Sequence, residues 1–64
     1  MLYPEFCQMV ARYGFTECHV TETGYSELSQ LGFTPDDIYS VQCDIAAGFT
    51  QSESIAALER TKES

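Results

Sequence analysis

One histidine and three cysteines are the side chains in this sequence best suited to nucleophilic or metal chemistry, and their spacing favours neither. His19 directly follows Glu17 and Cys18, while Cys7 and Cys43 lie far along the chain. Three cysteines and one histidine allow a thiolate pair in principle, but neighbours in sequence rarely face each other. The same four residues form a nominal Cys3His set without the paired C-x-x-C knuckles of structural zinc, and an odd, widely spaced cysteine count is a poor disulfide framework. The expectation is that the thiols are small buried hydrophobes. Asp36 and Asp37 are the closest thing to a carboxylate pair, yet consecutive helical positions point about 100° apart, and the first turn of a helix accounts for both. With no G-x-x-x-x-G-K phosphate loop and no nucleophile elbow, the sequence predicts a protein that is not an enzyme and uses no cofactor or metal.

Charge says more about partners. Ten Asp and Glu stand against three Lys and Arg, a formal net charge of −7. The only cations are Arg12, Arg60 and Lys62, so the run from Tyr13 to Glu59 holds eight carboxylates and no Lys or Arg. Such a chain repels phosphate backbones and anionic membranes and attracts basic proteins at long range. Direct binding to duplex DNA is therefore not expected. Acidity also keeps a small protein soluble, which is the simpler explanation for it. No basic n-region with an apolar run follows Met1, and no segment approaches the roughly 20 apolar residues of a membrane span, so a soluble cytoplasmic protein is expected.

Helical periodicity supplies the elements that must position these groups. In the first segment Pro4 and Glu5 suit a helix start, and Phe6, Met9, Val10 and Tyr13 fall at i, i+3, i+4 and i+7, giving a helix of about ten residues that ends at Gly14. Residues 16–24 are ambiguous between a weak helix, with Thr16 as a possible cap, and irregular chain, because Val20, Thr21 and Thr23 are β-branched and Gly24 interrupts. Tyr25, Leu28 and Leu31 mark a short helix stopping at Gly32. Thr34 as N-cap, Pro35 at the first helical position and the stripe Ile38, Val41 and Ile45 predict the next helix, and Thr50 with Glu53 makes a capping box for the last, whose apolar residues are Ile55, Ala57 and Leu58.

Gly-Phe-Thr occurs three times, at 14–16, 32–34 and 48–50. Glycine can end a helix in the left-handed conformation, phenylalanine can fold back onto that helix, and threonine can cap the next one. The motif is a hinge, and the chain is expected to be one all-α domain over residues 1–64, a small bundle of three to five short helices. At this size only about 60% of the unfolded chain's surface is buried, so stability is marginal and a second copy or a larger partner is expected to help.

The stretch AAGFTQSESIAALERT, residues 46–61, resembles the loop and second helix of ubiquitin-associated domains: Gly48, Phe49, Ala57, Leu58 and Thr61 match the family pattern, while Ala47 stands for its methionine and Ser54 for an alanine. A complete domain of that kind would use the earlier copy, LGFTPDDIYSVQ, as its loop. The resemblance then implies Leu31, Gly32 and Phe33 as contacts for an apolar ubiquitin-like patch, with Ile38 and Val41 in the core. The same region also resembles a helix-turn-helix, with residues 37–48 as first helix and residues 50–62 as recognition helix, but Gln51, Ser52 and Glu53 at the leading end are poor phosphate ligands.

The leading expectation is a small acidic, non-enzymatic protein that binds a larger protein with a basic, nucleic-acid-binding surface, as small inhibitors encoded by phages and mobile elements do. Asp36, Asp37, Ser40 and Asp44 share one side of the Pro35–Ala47 helix opposite its apolar stripe, with Tyr39 and Cys43 on the flank. Tyr39 is the expected anchor, since tyrosine is enriched among residues that dominate interface energetics.

Overall fold

The computed structural model describes residues 1–63, with side chains through Lys62. Four helices follow in order, α1 Tyr3–Arg12, α2 Glu22–Gln30, α3 Pro35–Ala46 and α4 Gln51–Glu63. The chain is all-helical, as its periodicity predicts, and α3 and α4 form its most extensive helix pair.

Each Gly-Phe-Thr ends a helix in the same way. Gly14, Gly32 and Gly48 have φ of 97°, 92° and 110°, the left-handed region that an L side chain enters only under strain. The amides of Phe15, Phe33 and Phe49 reach back to the carbonyls of Val10, Leu28 and Asp44 at 3.2, 3.2 and 3.0 Å, and those of Gly14, Gly32 and Gly48 to Ala11, Ser29 and Ile45. This double bond is the Schellman arrangement, which satisfies carbonyls that the helix end would otherwise leave unpaired. The threonines differ. Thr34 and Thr50 each accept from an amide three residues on, Asp37 and Glu53, whose carboxylates bond back to the threonine amides. Thr16 caps nothing.

The ambiguous segment is irregular through Val20, and α2 begins at Glu22, three residues before Tyr25. Its cap is Thr21, whose hydroxyl accepts from Gly24 N at 3.0 Å. Gly24 does not interrupt the helix. It lies buried in the first turn, with the side-chain amide of Gln51 against it.

Phe6, Val10, Val20, Tyr25, Leu28, Phe33, Ile38 and Val41 form the core, with Met9, Phe15, Ile45, Ile55 and Leu58 packed around it. Two residues of the apolar stripes lie outside. Tyr13 and Leu31 sit one position past their helices, at the C-caps, and are 63% and 64% exposed. A polar residue takes a core place instead: Gln42 is fully buried four residues after Ile38. Its Oε1 accepts from the amides of His19 at 2.7 Å and Val20 at 3.1 Å, and its Nε2 donates to the Glu17 carbonyl at 3.1 Å. One side chain thereby supplies the partners that the irregular segment cannot find in a helix or sheet.

Candidate functional site

The polar side of α3 divides in two. Asp36 and Ser40 are exposed, Ser40 Oγ donating to the Asp36 carbonyl at 3.4 Å. Asp37 and Asp44, further round the helix, face α4. Asp44 is half-buried and accepts from Ser54 Oγ at 2.6 Å, and Ser54 is itself buried. Asp37 closes the capping box of α3 and lies 3.1 Å from Lys62 Nζ near the end of α4. That ammonium also sits 4.5 Å from the centroid of the Phe33 ring. The end of α4 is thus tied to the start of α3 by an ion pair and a cation–π contact, an exposed combination of modest strength.

Two capping carboxyls are held below their ordinary values of 3.8 and 4.5. The Thr34 amide is the main cause for Asp37, followed by Lys62; for Glu53 it is the Thr50 amide, then the Thr50 hydroxyl. A depressed native pKa contributes stability that is complete above the unfolded value and disappears as pH falls through the native one. Resistance to urea is therefore expected to decline as pH drops from about 5 to about 3, and Asp37→Asn should flatten part of that decline, as circular dichroism at each pH will read.

On the opposite flank of α3 the aromatic side chains cluster. The Tyr39 ring is half-buried, with the Tyr13 ring centroid at 4.9 Å and the Phe15 centroid at 6.0 Å in edge-on contact. Burial, then the neighbouring Cys43 thiol, raises the pKa of its phenol, which stays protonated at neutral pH. Segment 16–20 lies along this flank because Gln42 holds it there, so Glu17 and His19, both exposed, neighbour the cluster in the chain. On this side Tyr13 and Asp36 are exposed and Tyr39 is half-buried. The loop of the ubiquitin-associated resemblance is divided: Leu31 is exposed, Gly32 makes the turn, and Phe33 is 9% exposed beside Lys62.

All three cysteines are half-buried rather than buried as the sequence suggested, and Cys7 and Cys18 lie away from this flank. The Tyr3 hydroxyl and Cys18 Sγ both donate to the Val20 carbonyl, at 2.9 and 3.5 Å, with Cys7 one turn along α1 from Tyr3. Burial is the main cause that pushes the Cys18 thiol up to about 11, which keeps it protonated. Among the described residues no group of three or more His, Cys, Asp or Glu is placed to hold a metal ion, and no helix is long and apolar enough to cross a membrane.

Compared with known proteins, the chain matches no family model, no curated protein and no solved structure. Sequence reasoning missed Gln42, Ser54 and the Tyr13–Tyr39 pair. Gln42 did leave a signal, as a polar residue at i+4 from Ile38 and i−3 from Ile45, on the apolar stripe itself.

Proposed function

We propose that this protein is a non-enzymatic binding module that engages a basic surface of a larger protein through the α3 flank carrying Tyr39, Asp36 and Ser40, with Tyr13 and Glu17 beside them. The observation that carries this reading is the Tyr13–Tyr39 ring pair, Tyr13 exposed and Tyr39 half-buried, in the part of the chain that has carboxylates and no Lys or Arg. Aromatic rings provide a desolvated anchor, and surrounding carboxylates steer a cationic partner toward it. Asp37 and Asp44 act indirectly, by holding α4 against α3. Occupying a nucleic-acid-binding surface in this way inhibits the larger protein.

A partner recovered from the source cells with the immobilised protein supplies the test. Asp36→Asn with Glu17→Gln should slow association and weaken its salt dependence, because exposed charge mainly sets encounter rate. Tyr39→Ala should speed dissociation about tenfold or more, as loss of a central anchor does. Unchanged kinetics in both variants, with folding intact, would reject the reading. The exposure of Leu31 favours one alternative, an adaptor contacting an apolar, ubiquitin-like surface through the α2–α3 loop. Binding that ignores salt and is lost in Leu31→Ala would select it.

A further inference from the structure

Cys7 belongs to α1 and Cys18 to the irregular chain before α2, yet the fold sets their side chains together. The Tyr3 hydroxyl and Cys18 Sγ converge on one oxygen, the Val20 carbonyl, at 2.9 and 3.5 Å. Cys7 follows Tyr3 by one turn on the same face of α1. There its thiol is within hydrogen-bonding reach of both the Tyr3 hydroxyl and the Cys18 thiol. The third cysteine, Cys43, lies elsewhere, on α3 beside Tyr39. Both Cys7 and Cys18 keep part of their surface in solvent, and two thiols in contact are a pair that two-electron oxidation can join.

We propose that Cys7 and Cys18 are a modification site, a dithiol that small-molecule disulfides of the glutathione class oxidise to an intramolecular disulfide tying α1 to residues 16–20. In the first step the Cys7 thiolate attacks one sulfur of the small disulfide, whose S–S bond breaks, and one small thiolate leaves. Cys18 then gives up its proton and attacks the Cys7 sulfur of the mixed disulfide, releasing the second small thiolate. The protein loses two electrons and two protons, and the oxidant leaves as two thiols that carry them. Cys7 acts first because the Cys18 proton is engaged by the Val20 carbonyl and burial keeps that thiol protonated. Contact between the two side chains gives the second step a high local concentration, which offsets the weak acidity of Cys18.

Releasing Cys18 from its hydrogen bond strands nothing, since the Val20 carbonyl keeps the Tyr3 hydroxyl as donor. The new bond closes a short loop through the end of α1 and its Schellman turn. A domain this small has little core, and such a staple restrains its unfolded chain. It holds from the α1 side the segment that Gln42 holds from α3. Neither cysteine belongs to the Tyr39 cluster, so the proposal is independent of the function proposed above.

Equilibrating the folded protein with mixtures of reduced and oxidised glutathione, then alkylating free thiols and reading the products by mass spectrometry, provides the test. A species lighter than the reduced protein by two hydrogens should appear before alkylation, with Cys7 and Cys18 joined in its peptide map and Cys43 alkylated. Its formation should be about a hundredfold more favourable in the folded chain than in concentrated urea, because only the unfolded chain bears the entropy of closing the loop. The same factor should return as stability: the oxidised protein unfolds at higher urea than the reduced one, and excess reductant abolishes the difference. Cys43→Ser should oxidise as the wild type does, whereas Cys18→Ser should stop at a glutathione adduct on Cys7. Separate adducts on Cys7 and Cys18 with no bond between them, a wild-type bond to Cys43, or equal oxidation in folded and unfolded chains would each overturn the proposal. Those three outcomes are read on the wild type, so they hold whether or not a variant folds.

Discussion

Replacing Gln42 by methionine is expected to destabilise the protein by about 3 kcal/mol, although the side-chain volume hardly changes, because it strands groups that have no other protein partner. Gln42 is fully buried and its amide makes three hydrogen bonds to backbone of residues 17–20. The Val20 amide sits inside the core, beyond the reach of water, so its share is the full penalty of an unmade bond. The His19 and Glu17 groups belong to exposed residues and recover some hydration if the segment lifts. Lifting it withdraws Val20 from the core and exposes the underside of α1. A domain of this length has a total stability of about 3 to 10 kcal/mol, so the variant should lose much of its resistance to urea. Proton exchange should quicken first at Val20. A Gln42→Met chain as stable as the wild type would show that the segment is held by its apolar contacts alone.

Gly48→Val is expected to cost about 2 kcal/mol, by a different route. There is space for the side chain, since a Cβ at Gly48 meets no atom within 4 Å. The strain lies in the backbone: φ is 110°, which a β-branched residue adopts only at a cost. If the chain relaxes to avoid it, the Phe49 amide leaves the Asp44 carbonyl, and the α3–α4 turn opens. Asp44 and Ser54 would then separate, together with the Asp37–Lys62 pair at the other end of the hairpin. Gly48→Asn should cost less, because asparagine tolerates the left-handed region better. Thermal unfolding of the two variants, side by side with wild type, separates conformational strain from loss of contacts: equal melting temperatures for all three would refute the role given to this glycine.

Most of the helical architecture is legible in local sequence. The three Gly-Phe-Thr units work because each part acts over a few residues, glycine through its own φ and phenylalanine through an amide that reaches back five positions. The capping boxes of Thr34 with Asp37 and Thr50 with Glu53 are equally local, as is the stripe of Ile38, Val41 and Ile45. Tyr13 and Leu31 departed from their stripes because periodicity runs past the last helical residue while the chain itself turns away.

What surrounds α3 required the tertiary structure. Sequence placed Asp36, Asp37, Ser40 and Asp44 on one polar side, and helical geometry supports that grouping, but it cannot say where along that arc a neighbouring helix will lie. Packing of α4 takes Asp37 and Asp44 for internal contacts with Lys62 and Ser54 and leaves Asp36 and Ser40 outside. The same holds for residues 16–20, whose course depends on Gln42, more than twenty positions away. By itself the sequence determined the helices, their ends and an excess of negative charge, since those follow from interactions between near neighbours and from composition. Only the tertiary structure decided which carboxylates face solvent, which glutamine replaces a core hydrophobe and that Tyr13 meets Tyr39, because each depends on how one helix lies against another.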